Sequence, residues 1–202
     1  MLKQFDDRVY CKIMADSVKS ISATVFIFSN NFNGKAIAPR LSVRLKAGLV
    51  SGALAFPELG SGFIVKKNVF SGKAFANVSV KTGIKIITLN ANAFKITESE
   101  GTAEVVELTV EIPAAKVKVK AVNKIVGEIP LAEAEIVVSG GRGLKGPENW
   151  AIVTDLAKVL GAATSCNRPV SDSDWRPHHE HVGQTGLTNS PNLQFCIGIS
   201  WY

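Results

Sequence analysis

The stretch EIVVSGGRGLKGPENWAIVTDLAKVLG, residues 135–161, decides the fold. Glu135 to Ser139 form a short, mostly apolar run, which suits a buried parallel strand. Gly140, Gly141, Gly143 and Gly146 then allow a sharp turn and close approach to a ligand. Pro147 falls where a first helical residue belongs, because its φ is already set and it has no N–H to leave unpaired. Val153, Leu156, Ala157 and Leu160 recur at helical spacing and Gly161 closes the run, so PENWAIVTDLAKVLG predicts an amphipathic helix. Strand, glycine turn and helix together predict an α/β sheet. The turn facing a helix N-terminus is an expected anion site, through the helix dipole and free N–H groups.

Downstream, the second strand ends near ATSCNRP, with Asn167 and Arg168 in the loop that follows. His181, Val182, Gly183, Gln184, Thr185 and Gly186 make a glycine-flanked polar turn, and QFCIGIS reads as another strand. Ligands of parallel α/β sheets sit at the carboxyl ends of the strands, so these loops are expected to converge on one rim. Arg142 and Arg168 would bring cations there, and the third loop backbone N–H groups, an amide and a hydroxyl. That inventory suits a phosphorylated, electron-rich heterocycle. Gly141, Gly143 and Gly146 also satisfy Gly-x-Gly-x-x-Gly. The nicotinamide form of that motif wants a carboxylate about 20 positions on, where this chain offers Asn167 and Arg168. An acyl hydrolase of related sheet type needs a nucleophile–base–orienter set, and none is visible.

SGGRG, R-P-V followed by an acidic-aromatic loop, VGQTG, SPNL and IGIS resemble, in order and spacing, the alpha subunits of electron transfer flavoproteins. NNFNGKAIAPRLSVRLKAGLVSGALAF and FSGKAFANVSVKTGIKIITLNANAF resemble that family's first domain, so the likeness covers essentially the whole chain after its first few residues. The resemblance implies an incomplete N-terminal α/β domain with a strand-rich part, residues 1–131. A truncated doubly wound parallel-sheet FAD-binding domain, residues 132–202, would follow. It implies FAD as cofactor and an electron carrier that is not itself an enzyme. Electrons would come from dehydrogenases such as acyl-CoA dehydrogenases, as in fatty acid beta-oxidation, and pass to a quinone oxidoreductase. The implied partner is a beta subunit in a heterodimer, in the bacterial cytoplasm or the mitochondrial matrix. Branches serving nitrogen fixation, carnitine metabolism or electron bifurcation stay open, as does a flavin-free, partner-binding remnant.

On the same resemblance, Arg142 matches the glycine-loop arginine that contacts FAD. Asn167 stands where the family usually has a serine, beside Arg168, which matches an arginine packed by the isoalloxazine. A fixed cation there favours the anionic reduced ring. Val182, Gly183, Gln184 and Thr185 match the loop along the ring, with the Thr185 hydroxyl directed at flavin N5. Ser200 matches the first residue of the next contact loop, which the family continues with Gly-Ala-Ile-Gln-His. Here Trp201 and Tyr202 follow instead, and Met1 opens close to the helix DDRVYCKIMADSVKS. The resemblance therefore implies an internal piece of a longer subunit, expected to leave sheet edges and apolar faces uncovered and to hold FAD poorly alone.

Composition narrows the classes further. The 202 residues are 46% hydrophobic, ordinary for an α/β protein. No apolar run reaches membrane-spanning length, so no direct membrane insertion is expected. The net charge of +6 rests on scattered lysines. In KVKVKAVNK they alternate with Val117, Val119 and Val122, which predicts a half-exposed strand and no nucleic-acid stripe. Cys11, Cys166 and Cys196 are odd in number and far apart, against a disulfide framework or a sulfur-ligated metal. Cys166 is expected as a packed small residue. His178, His179, Glu180 and His181 are neighbours that point in alternating directions, so no metal site is expected, and His181 is read as leading toward the flavin ring.

Upstream, Val9, Ile13, Met14 and Val18 mark an amphipathic helix and SATVFIFS a buried strand. Asn30, Asn31, Asn33 and Gly34 predict a turn and helix start, and AIAPRLSVRLKAG a helix with Pro39 near its beginning. GLVSGALAF, GFIVKKNVF, FANVSVKT, IKIITL and EVVELTVEI predict strands. GKAIAPR lacks the Gly-Lys-Ser/Thr ending of a phosphate loop.

Overall fold

A computed structural model describes residues 4–70, 72–105, 107, 109–115, 117–122 and 129–200. The chain divides into two units, 1–122 and 123–202. Leu131, at the expected junction, is buried with Ala134, Val137 and Ala163 of the second unit.

The first unit opens with helix α1, Asp7–Ile21. Asp6 caps it, its Oδ1 accepting from the N–H groups of Arg8 at 2.9 Å and Val9 at 3.2 Å. Helix α2 runs Phe32–Leu45 and begins at Asn31, whose side chain accepts from the Gly34 N–H at 2.9 Å. Pro39 therefore lies well inside α2, not near its beginning. It lacks the N–H that would reach Lys35, yet burial of Ala38 and Leu41 in a cluster with Cys11, Ala15, Ala47 and Ile86 carries the helix through it.

Five strands form the first sheet: β1 Val25–Ser29, β2 Gly48–Ala53, β3 Ile64–Val69, β4 Ala74–Ser79 and β5 Lys85–Leu89. Their order is β1-β5-β2-β3-β4. β1, β5 and β2 are parallel, whereas β3 pairs antiparallel with both β2 and β4. Two expectations fail here. β1 is an edge strand paired only with β5, not a buried one, and Ile27 is 61% exposed. EVVELTVEI and KVKVKAVNK form no strand among their described residues. Alternation makes a segment amphipathic, but only a neighbour's ladder makes it a strand.

The second unit holds β6 Ile136–Gly140, α3 Ala151–Leu160, β7 Ala163–Cys166, the short helix α4 Arg168–Asp172 and β8 Leu193–Ile197. The sheet order is β7-β6-β8, all parallel. A 3-10 turn, Pro147–Trp150, precedes α3, and Gly161 closes α3 at φ 60. Val138, Leu144, Trp150, Val153, Ala157, Cys166 and Val170 bury together between α3 and the sheet. Beneath the strand ends, Ser139 and Ser165 share a buried hydrogen bond of 2.6 Å, and Gln194 Nε2 donates to Ser139 Oγ at 2.7 Å. The chain is thus mixed α/β, with a first sheet that joins three parallel strands to an antiparallel pair and a second sheet that is all parallel.

Candidate functional site

Register makes the rim of the second unit. Gly140 lies opposite Cys166 of β7 and Ile197 of β8, so the three strands end level. The segments carrying Arg142, Asn167 with Arg168, and Ser200 therefore leave from adjacent points. A bridge between Cys166 and His181, with the Val182 N–H donating to the Cys166 carbonyl at 3.0 Å, seats the 181–187 turn beside the open edge of β7. From that turn to β8 the rim crosses three interstrand spacings, roughly 14 Å. It accommodates an elongated ligand.

The first loop corrects the anion-site expectation. Gly143 donates its N–H to the Gly198 carbonyl at 2.9 Å, and Gly141 to that of Ile197 at 2.9 Å. The N–H groups of Leu144 and Lys145 close on Gly141 and Arg142. A Cβ on Gly141 would strike the Gly198 carbonyl oxygen, and one on Gly143 would lie 2.7 Å from Gly198 Cα. The glycines thus admit the chain after β8, and these N–H groups are used within the protein. What the loop offers a ligand is the exposed Arg142 side chain, which has no ion pair among the described residues.

The second loop is the N-terminus of α4. Asn167 holds the cap position, but its side chain makes no cap hydrogen bond, and its Oδ1 is buried without a partner. Arg168 is exposed, its Nε 3.2 Å from Asp172 Oδ2 on the next turn. In the third loop Val182 packs toward the cluster of Leu131, Ala134, Val137 and Ala163, so its main chain is what faces outward. Gly183 takes φ 124, and Gln184 and Thr185 are exposed. Thr185 sits at φ 70, a conformation β-branched residues seldom adopt. Ser200 is exposed just past the Gly198 turn. His181 is 5% exposed on the same side of the sheet as its bridge partner Cys166, with Nε2 buried and unpartnered.

Sequence reasoning missed the support under the rim. Glu180 is 3% exposed and is held by Arg176, whose Nε donates to Oε2 at 2.9 Å while its guanidinium lies 5.4 Å from the Trp150 ring. The four-residue spacing of Arg176 and Glu180 was visible; the burial that makes it matter was not. Burial pushes the neighbouring Cys166 thiol up to about 11, with the Glu180 charge adding to the rise and Arg176 opposing it. Among the described residues no three His, Cys, Asp or Glu side chains group as metal ligands, and no helix is long and apolar enough to cross a membrane.

Fold and rim define an α/β protein with polar loops gathered at the carboxyl ends of a parallel sheet, where proteins of this class bind their ligands. Residues 130–201 match the electron transfer flavoprotein FAD-binding domain and residues 1–113 the electron transfer flavoprotein domain. The chain belongs to the electron transfer flavoprotein family, on the alpha-subunit side. It is 34% identical over 199 residues to an electron transfer flavoprotein subunit alpha of Syntrophomonas wolfei, covering 97% of this chain and 63% of that one. The corresponding Bacillus subtilis subunit is 30% identical, with 98% and 62% covered. The protein FixB of Escherichia coli O127:H6 is 30% identical, with 96% and 65% covered. This chain thus spans less than two thirds of the length of those relatives.

FAD is the cofactor that the matched domain names. The residues present fit it: an unpaired Arg142, the orphaned Asn167 Oδ1, a second cation at Arg168 and a strained Thr185 line one elongated rim.

Proposed function

We propose that this chain is the FAD-holding part of an electron carrier. The observation that carries the reading is the level ending of β6, β7 and β8, which gathers Arg142, Asn167, Arg168 and Ser200 at adjacent strand ends, with the 182–185 turn beside them. Bound FAD supplies reversible one- and two-electron chemistry. Arg142 contributes a mobile cation for the ligand's negative groups. Arg168, steadied by Asp172, fixes a positive charge that favours a reduced, anionic ring. Asn167 Oδ1, which has no partner, would accept from a ring-edge N–H, and the Gly183–Gln184–Thr185 turn would line the ring and offer it the Thr185 hydroxyl. Ser200 closes the β8 side.

No side chain here is assigned to bond-making or bond-breaking. The carrier would pair with a beta subunit, accept electrons from flavin dehydrogenases such as acyl-CoA dehydrogenases and deliver them to a quinone oxidoreductase, in the cytoplasm of a bacterial cell. Relatives named FixB stand beside those named alpha subunit, so a carrier with a different donor is the second reading.

The test is the visible spectrum of the purified chain after incubation with FAD and desalting, alone and with a beta subunit. Shifted, structured flavin bands are expected with the beta subunit, and only weak ones from the chain alone. Colourless protein in both cases overturns the proposal.

A further inference from the structure

The first unit carries a cationic cleft that the flavin reading does not use. Arg8 and Cys11 of α1 face Arg40, Val43 and Arg44 of α2 around a cavity of about 300 Å³. Arg40 Nη2 is paired with Asp7 Oδ2 at 3.1 Å. Arg8 and Arg44 have no ion pair among the described residues. Three guanidiniums thus stand against two carboxylates, Asp7 and the buried Asp6, an excess of positive charge that a bound anion would relieve. Arg8 lies in the first turn of α1, where the helix dipole adds positive potential, and the Asp6 cap accepts the N–H groups of Arg8 and Val9 through Oδ1.

The floor is apolar. Cys11 is 3% exposed, and Val43 is 82% exposed beside it. Burial raises the Cys11 thiol against the opposing pull of Arg44 and Arg40, so the floor stays neutral and adds no negative charge of its own. Exposed guanidinium groups around an uncharged thiol floor, with Val43 exposed at the mouth, match a small ligand with an anionic end and an apolar body.

We infer that the α1–α2 cleft binds a small dianion bearing an apolar group, of the aromatic phosphate monoester class. The volume admits one such molecule, and the excess of guanidiniums over carboxylates favours an anionic end.

The test titrates phenyl phosphate into the full chain by calorimetry at neutral pH and low salt, with benzyl alcohol as the neutral counterpart. Saturable heat is expected for the phosphate alone. The double variant R8Q/R44Q should weaken it about tenfold or more. Both side chains are exposed, so the fold should survive. Val43→Glu, which places a carboxylate over the floor, should abolish binding by a second route. R142Q/R168Q should leave the heat unchanged, which separates this cleft from the rim. Absence of saturable heat, wild-type affinity in R8Q/R44Q, or loss of binding in R142Q/R168Q each overturns the inference. Heat from polyglutamate but none from phenyl phosphate overturns it too, by making the cleft a docking surface for an acidic protein.

Discussion

Thr185 combines a backbone cost with the role on the rim proposed for its hydroxyl. At φ 70 its branched Cβ is crowded, a cost of about 1–2 kcal/mol. Thr185→Gly relieves that crowding and gives back about 0.5–1 kcal/mol through the freer unfolded chain. Thr185→Ala loses the hydroxyl but keeps the Cβ. The glycine variant should therefore equal or exceed wild type in urea midpoint, while both variants shift the flavin midpoint potential by the same amount. A potential that moves in neither variant would remove the hydroxyl from the site. Arg168 separates stability from function differently. Its pairing with Asp172 is exposed on both sides, so Arg168→Ala should cost less than about 1 kcal/mol. In the FAD-loaded complex with a beta subunit it should nonetheless lower the one-electron potential, read by redox titration; an unchanged value would reduce Arg168 to a surface residue. Arg142 and Arg168 were legible at strand ends, through the ordered loops and the family resemblance, and both are exposed on segments that leave β6 and β7 there. The orphaned Asn167 Oδ1 was not legible, since only the folded neighbourhood decides whether a cap residue makes its cap bond.

Where β6 and β8 end, the SGGRG motif does something its sequence does not state. Its pattern was readable and so was the strand–turn–helix around it. The reason for glycine was misread, because the backbone that approaches Gly141 and Gly143 belongs to Gly198, far along the chain. Gly141→Ala should accordingly cost about 2–4 kcal/mol in urea unfolding followed by tryptophan fluorescence, even without flavin. A cost under about 0.5 kcal/mol would return the motif to a purely ligand-facing role. The same long-range logic explains EVVELTVEI, which alternates correctly but finds no ladder among its described residues. At the end of β7, Cys166 ties the element to pH. Its folded value of about 11 exceeds the ordinary thiol value of 9.0, so the folded state holds the proton more tightly. That contribution is complete below pH 9 and is lost as pH rises toward 11. Stability measured by urea should fall across that window, and fall less in Cys166→Ala. Equal slopes in both proteins would place the loss elsewhere, since burial also raises Cys11 and Cys196.

Over the whole molecule, both sheets place a parallel strand at an edge with apolar side chains in solvent. In β1, Val25 is 40% and Ile27 61% exposed; in β8, Leu193 is 48% and Phe195 37%. Parallel sheets are ordinarily covered on both faces, and an unpaired apolar edge is a template for another chain. The net charge of +6 opposes association, but at physiological salt it is screened beyond about 8 Å, whereas edge pairing acts at contact. The isolated chain should therefore self-associate in a concentration-dependent way, and more at high salt than at low. Ile27→Lys and Leu193→Lys place solvated charges on the two edges without touching the rim residues. In sedimentation velocity each should reduce the associated fraction, and the double variant should run as a monomer. A monomeric wild-type chain at every concentration would mean that the exposed side chains of β1 and β8 are too few to drive pairing. Association unaltered by both lysines would move the contact to another surface, with the exposed Phe56, Phe70 and Phe75 of the first unit next to be substituted.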